Sequence, residues 1–182
     1  STTIVIMFIL MGQILLRAGG SEFFTDLAMA TMGRRRGGAA KISVMASALF
    51  GTISGAAVSN VVVTGVVTIP LMRDSGYKAT HAGAIEAIAS TGGQMMPPIM
   101  GAAAFLMAET LEIPYAEIVI AALVPSILYY FAAYIQVDLI AAKDNISAVN
   151  QDIPRLKQVL REGWYFIPPF VVLVYMLFWA NQ

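Results

Sequence analysis

The chain has 182 residues and no net charge; 58% of its residues are hydrophobic and 12% are charged. A soluble domain has about twice that share of charged residues, so the composition is typical of a chain that lies in a bilayer. The neutral balance and the lack of a basic arm argue against nucleic-acid binding. With no cysteine and a single histidine, the chain cannot form disulfides, use a catalytic thiol or build a histidine-based metal site.

The apolar residues fall in five runs that predict an all-α polytopic membrane protein. In chain order we expect a transmembrane helix at 1–20, an interfacial helix and a basic cytoplasmic loop at 21–41, a re-entrant hairpin at 42–72, a broken transmembrane helix at 80–110, a transmembrane helix at 117–142, a cytoplasmic loop at 143–163 and the start of a further transmembrane helix at 164–182. Because the chain begins directly before one apolar run and ends just after another, we interpret it as an internal segment of a longer polypeptide.

In the segment after the first apolar run, Phe23, Phe24 and Leu27 share a helical face opposite Glu22 and Asp26. That pattern is typical of a helix lying in the interface plane of the membrane. A short connecting helix with no role of its own is the alternative.

The basic residues favour a hairpin at 42–72 over a single crossing. Lys and Arg gather in short cytoplasmic loops, and a single crossing would put the basic loops 34–41 and 73–78 on opposite sides. A hairpin that enters and leaves on one side makes all eleven basic residues cytoplasmic and leaves only the acidic loop 109–117 outside. Its expected arms, 42–55 and 61–72, reach about 18–21 Å into a hydrocarbon core about 30 Å thick.

The expected tip, 55–60, has small residues followed by Ser59 and Asn60, which are good helix N-caps. Non-helical backbone at that depth persists only where protein or a wet cavity covers it. We therefore expect a functional site at the tip.

The segment 80–110 is long enough to span but is interrupted by Gly92, Gly93, Pro97 and Pro98. The two prolines remove helical hydrogen bonds and so release the carbonyls of Gly93 and Gln94. Carbonyls at the negative end of a half-helix suit a hard cation such as sodium, and a half-helix restarting at Pro98 would offer its positive end to an anion. A plain proline kink is the alternative.

Polar side chains cluster near both interruptions: Thr52, Ser54, Ser59, Asn60 and Thr64 on the hairpin, and Ser90, Thr91 and Gln94 on the broken helix. Singly, such residues in membrane helices usually only pack or bond backbone, so the cluster carries the signal. We expect Glu86 to form an ion pair with Lys78 or His81 near the cytoplasmic edge, with a proton relay as the alternative. An interfacial ion pair is also expected for Asp138.

Three motifs carry a resemblance to a known family: GTISGAAVSN at 51–60, TIPLM at 68–72 and EAIASTGGQMMPPIMG at 86–101. They resemble the large membrane subunit of tripartite ATP-independent periplasmic (TRAP) transporters, in the form with fused small and large subunits that works with a TAXI-type binding protein. The likeness covers nearly the whole chain.

The resemblance implies an elevator fold of the ion transporter superfamily, with one repeat that holds a re-entrant helical hairpin and a broken transmembrane helix. It also implies a multi-pass protein of the bacterial or archaeal cytoplasmic membrane, in contact with lipid. Such a protein takes up a small organic acid, handed over by a TAXI-type periplasmic binding protein. Sodium would be the coupling ion, and no cofactor is expected.

Carried onto this sequence, the resemblance implies two sets of site residues. Sodium ligands would come from Ser54, Gly55, Ser59, Asn60, Thr91, Gly92, Gly93 and Gln94. Candidates for the substrate path are Thr64, Ser90, Pro97 and Pro98.

Three alternative functions make different demands on the sequence. A sodium-coupled divalent-anion symporter of the same superfamily would work without a binding protein. An intramembrane enzyme is disfavoured because the chain has no Gly-x-Gly-Asp aspartate pair, no His-Glu-x-x-His and no Gly-x-Ser-x-Gly with a partner histidine. A scaffold subunit would gain nothing from intramembrane breaks, since unpaired buried carbonyls destabilise a fold.

Overall fold

The computed structural model describes residue 14 and residues 16–149 and 152–179, which form helices and turns without any strand. The numbered helices are α1 (Ser21–Met32), α2 (Gly38–Ser54), α3 (Ala57–Asp74), α4 (Ala79–Gly92), α5 (Ala102–Leu111), α6 (Tyr115–Lys143), α7 (Leu156–Glu162) and α8 (Ile167–Trp179). A π-helical turn, Leu16–Gly20, precedes α1 and is kinked at Gly19. Most of the expected transmembrane helix at 1–20 lies outside the described residues.

Helices α2 and α3 form a helical hairpin with a turn of only two residues, Gly55 and Ala56. Gly55 ends α2 with φ 59°, a left-handed conformation that glycine adopts without a steric penalty. The arms have 17 and 18 residues and are longer than expected from the sequence.

The prediction that Ser59 and Asn60 cap the second arm of the hairpin is wrong. Ala56 is the N-cap of α3, and Ser59 and Asn60 lie inside its first turn. The left-handed Gly55 reverses the chain so tightly that the second arm starts at Ala57, four residues before the expected start at 61.

The two outer ends of the hairpin lie at the same end of the molecule. The Tyr77 hydroxyl, just after α3, is 3.5 Å from the carbonyl oxygen of Gly37, just before α2. The end of α6 lies there too, since the Gly37 N–H donates to Ile146 O over 3.2 Å. Both basic loops therefore lie together, as a hairpin requires; the side of the membrane that they face stays a prediction.

The broken helix is present as α4 and α5, separated by turns at 93–101, but two details differ from expectation. The second half begins at Ala102 and not at Pro98, because Pro97, Pro98 and the left-handed Met100 (φ 59°) keep the chain in turns as far as Gly101. The carbonyls of Gly93 and Gln94 are not free either. They accept the N–H groups of Met96 over 3.3 Å and Gly101 over 2.8 Å.

Helix α6 has 29 residues and an apolar face that no described residue covers. Among the described residues it is the one helix long and apolar enough to cross a bilayer, at about 43 Å. It runs antiparallel to α4, with the Tyr130 hydroxyl donating to Ala89 O over 3.0 Å. Its exposed face includes Val124, Ile127 and Phe131, as expected of side chains that face lipid.

Helix α1 is amphipathic, as the sequence predicts. Glu22 and Asp26 are exposed, while Thr25 and Ala28 are buried. Phe23 stacks on Phe166, in the 3₁₀ turn just before α8, with ring centroids 5.4 Å apart, and α1 also packs against α2 and α7. Its position at a membrane interface stays a prediction.

Candidate functional site

The site is built on two helices that run parallel and end at the same level. Along α2 and α4, Ser43 Oγ donates to Glu86 Oε2 over 2.8 Å, and Ser47 Oγ lies 3.5 Å from Ser90 Oγ. One turn further, Gly51 lies against Gly93, where a Cβ on Gly51 would come 2.4 Å from the Cα of Gly93. The C-terminal ends of α2 and α4 therefore meet, and both carry the negative end of a helix dipole.

The hairpin tip lies directly on the break of the broken helix. The Ile99 N–H donates to Thr52 O over 3.3 Å. A Cβ on Gly55 would lie 1.8 Å from the carbonyl oxygen of Met100, so only glycine fits at the tip. The hairpin tip and the break are therefore in direct contact.

Asn60 joins the three helices below the tip. It lies on α3 with no exposed surface, and its Nδ2 donates to Ser47 O on α2 over 3.0 Å and to Ser90 O on α4 over 3.4 Å. A Cβ on Gly93 would come 2.8 Å from the same Nδ2 atom. Asn60 thus fixes the distance between the hairpin and the end of α4.

The structure brings only some of the sequence-predicted site residues together. We call the place where the hairpin tip meets the end of α4 and the break the junction. Gly55, Asn60 and Gly93 lie at the junction, and Pro97 and Pro98 are buried in the break. The Ser54 hydroxyl is also buried there and has no hydrogen-bond partner among the described residues.

The other predicted site residues lie apart from the junction or have other contacts. Ser59 is half-buried, and Gln94 and Thr91 are exposed. The Thr91 hydroxyl donates to Ala87 O over 2.7 Å within its own helix. Gly92 faces away from the hairpin and packs against Tyr129 and Tyr130 of α6.

Glu86 corrects one expectation. It pairs with neither Lys78 nor His81; His81 Nδ1 instead lies 3.6 Å from Asp144 Oδ2. Glu86 is fully buried between α2, α3 and α4. Each carboxylate oxygen contacts two hydroxyl groups: Oε1 accepts from Thr64 and from Ser90 (3.1 Å), and Oε2 accepts from Ser43 (2.8 Å) and from Thr68. We call these five residues the Glu86 cage.

The cage includes Thr64 and Ser90, which the sequence placed on the substrate path. In the structure both are fully buried and bound to Glu86. Sequence reasoning placed Glu86 near the membrane edge because it lies early in its helix. The spacing of four residues between Ser43 and Ser47, Thr64 and Thr68, and Glu86 and Ser90 gives each helix a polar face. That periodicity is the signal that could have revealed the cage.

The ion pair expected for Asp138 is confirmed. Its carboxylate contacts Arg36 and Lys41, with Lys41 Nζ at 2.5 Å. The Lys41 side chain is only 5% exposed and Asp138 is 28% exposed. This pair fixes the start of α2 to α6.

Comparison with known proteins identifies the family. The family model of the tripartite ATP-independent periplasmic transporter, DctM component, matches residues 1–181. The ectoine/5-hydroxyectoine TRAP transporter large permease protein of Ruegeria pomeroyi is 31% identical over 150 residues, which are 81% of this chain and 32% of that protein.

Two further relatives agree. The C4-dicarboxylate TRAP transporter large permease protein of Pseudomonas aeruginosa is 28% identical over 142 residues, 78% of this chain and 33% of that protein. The sialic acid TRAP transporter permease protein of Haemophilus influenzae is 27% identical over 176 residues, 91% of this chain and 27% of that protein. The chain thus spans about a third or less of these relatives, and none of their names describes an enzyme. The chain belongs to the DctM family, the large permease subunits of TRAP transporters.

Proposed function

We propose that this chain forms the sodium-binding part of a multi-pass, sodium-coupled permease subunit in the bacterial or archaeal cytoplasmic membrane. The observation that carries the proposal is the meeting of the C-terminal ends of α2 and α4 beside the buried hydroxyl of Ser54, which has no hydrogen-bond partner in the described part of the chain. Two negative helix ends and a free oxygen attract a cation.

The residues present fit sodium. The junction supplies neutral oxygens: the Ser54 hydroxyl and the backbone carbonyls around Gly55 and Gly93. The Gly93 carbonyl accepts one backbone hydrogen bond and keeps a second lone pair. Oxygen ligands of this kind suit a hard cation. Sodium moving down its gradient would supply the energy for uptake, while Asn60 holds the two helix ends at a fixed distance.

The same junction also suits an anion. Helices α3 and α5 begin there, and their N-caps, Ala56 and Gly101, make no side-chain capping hydrogen bond. The first backbone N–H groups of both helices can therefore donate to a carboxylate. The names of two relatives mention C4-dicarboxylate and sialic acid, both organic acids. We therefore propose a small organic acid as the substrate.

The Glu86 cage supports an elevator-type motion. It joins α2, α3 and α4 through buried hydrogen bonds, so the hairpin and the first half of the broken helix move as one body. The family match favours handover of the substrate by a periplasmic binding protein, in our proposal of the TAXI type. It does not favour the binding-protein-independent symporter.

Transport by the full-length protein in proteoliposomes tests the proposal, with the binding protein encoded beside it and a radiolabelled panel of small organic acids. We expect uptake that needs both an inward sodium gradient and the binding protein. Uptake without the binding protein would favour the symporter instead. Uptake of equal rate with potassium in place of sodium would contradict sodium coupling.

A further inference from the structure

The Glu86 carboxylate has no basic partner in the described part of the chain. No Lys, Arg or His nitrogen there lies within 4.0 Å of it. On the helices around it, Lys41 of α2 and Asp138 of α6 pair with each other, and His81 of α4 faces Asp144. Arg73 and Asp74 are exposed at the far end of α3.

The cage can satisfy Glu86 in both charge states. When Glu86 is ionised, four hydroxyls donate to its four acceptor positions. When it is protonated, its own O–H becomes a donor, and at least one hydroxyl must turn to another acceptor. Two hydroxyls have such an acceptor within hydrogen-bond distance, because Thr64 Oγ1 lies 2.8 Å from Asn60 O and Thr68 Oγ1 lies 2.9 Å from Thr64 O.

The cage therefore accommodates a bound proton by rotation of hydroxyl hydrogens, with no shift of its heavier atoms. A metal ion would have to open contacts in which hydroxyls already touch both carboxylate oxygens. The geometry of the cage thus favours a proton over sodium as the ligand of Glu86.

One cage member connects this carboxylate to the hairpin tip. Thr64 Oγ1 contacts Glu86 Oε1 and also lies 3.4 Å from the Asn60 side-chain oxygen. Ser90 is a second connection, because its hydroxyl contacts Glu86 and its carbonyl accepts from Asn60. A change in the charge of Glu86 thus reaches the amide that holds the junction.

We propose that the carboxyl group of Glu86 is a proton-binding site whose occupancy is coupled, through Thr64 and Asn60, to the cation at the hairpin tip. The coupling rests on the proposed function, whereas the proton site does not. A cation at the tip favours the ionised carboxylate, so sodium binding releases the proton to water and protonation weakens sodium binding.

Infrared difference spectroscopy of the full-length protein tests the proton site. Spectra are taken in potassium buffers at mildly acidic and mildly alkaline pH, in H₂O and D₂O. We expect an isotope-sensitive carboxylic acid C=O band at the acidic pH that is absent in Glu86→Gln. The matched control is Glu109→Gln, which removes an exposed carboxylate of α5 and should keep the band. If Glu86→Gln does not fold, Glu86→Asp should show the band at a shifted frequency.

The outcomes separate the two halves of the proposal. A band that is identical in wild type, Glu86→Gln and Glu86→Asp overturns the proton site. Loss of the band on adding sodium supports the coupling. If sodium raises the melting temperature and leaves the band unchanged, the coupling is wrong. If sodium affects neither, the sodium site fails, while a Glu86-dependent band still supports the proton site.

Discussion

Gly51 of the hairpin and Gly93 of the helix break lie in direct backbone contact. A Cβ on Gly51 would lie 2.4 Å from the Cα of Gly93, and a Cβ on Gly93 would lie 2.9 Å from the Cα of Gly51. Two helix ends can come this close only where neither has a side chain. The contact brings the C-terminal ends of α2 and α4 to one point, where the proposed cation binds.

Gly51→Ala should therefore separate the two helix ends. We expect overpacking to destabilise the protein by about 1–3 kcal/mol and transport to fall at least about tenfold, which corresponds to about 1.4 kcal/mol. The control is Gly83→Ala on α4, where an added Cβ meets nothing within 4 Å. There, alanine should leave transport unchanged and stabilise the helix by up to about 1 kcal/mol. Equal transport by both variants would show that the close contact is not needed.

Asp138→Asn should leave the buried Lys41 ammonium without its partner. Removing one member of a fully buried pair costs about 3–5 kcal/mol. Because Asp138 is 28% exposed, we expect a smaller loss, measured as a lower melting temperature in detergent. The control, Asp74→Asn, changes an exposed aspartate at the end of α3 and should have little effect. A similar small effect for both would mean that the pair does not fix α2 to α6.

Asp26 gives a pH-dependent prediction. Burial, with Glu22 and Glu162 nearby, raises the pKa of Asp26 above 3.8. Relative to the unfolded chain, the folded protein thus favours the protonated form of Asp26. Ionisation of Asp26 therefore lowers the stability of the fold as pH rises through the raised pKa. Asp26→Asn should raise the melting temperature at neutral pH, and the gain should vanish as pH falls toward about 4. The exposed Asp152→Asn should show no such gain. If Asp26→Asn raised the melting temperature equally at every pH, the charge of Asp26 would not be the cause.

A hairpin that enters and leaves the membrane on one side implies which side each loop faces. In a cysteine-free version of the full-length protein, cysteines replacing the exposed Arg34 and Lys78 should react with an impermeant reagent from the cytoplasm only. A cysteine replacing Glu109 should react only from outside. If positions 34 and 78 react from opposite sides, the segment between them crosses the membrane.

The sequence predicted the hairpin and the broken helix because charge, glycine and proline mark their limits. It misplaced the turn boundaries, since the left-handed Gly55 and Met100 set them, and a left-handed conformation at Met100 is not visible in the sequence. The sequence also predicted free carbonyls at Gly93 and Gln94, because Pro97 and Pro98 lack the N–H groups that would bond to them in a helix. In the structure, N–H groups of the neighbouring turns donate to both carbonyls instead.

The environment of Glu86 could not be predicted from the sequence of its own helix alone. Its four hydroxyl partners come from three helices, and only the folded chain brings Ser43, Thr68 and Ser90 around one carboxylate. Distance from the end of the helix predicted an edge position. Packing of the hairpin against α4 buries the group instead.

Thermal stability of the full-length protein in sodium and in potassium tests the central claim, a sodium site at the junction, most directly. At about a hundredfold excess over its dissociation constant, a ligand that binds only the folded state stabilises it by about 2.7 kcal/mol. Ser54→Ala is the sharpest variant, because the Ser54 hydroxyl has no partner among the described residues and its loss should not lower stability in potassium. Ser75→Ala, outside the junction, is the control.

We predict that sodium, but not equimolar potassium, raises the melting temperature of the wild type and of Ser75→Ala. The sodium-specific rise should be smaller in Ser54→Ala and in Asn60→Ala. Equal stabilisation of the wild type by the two cations, with both junction variants unchanged, would contradict a sodium site at the hairpin tip.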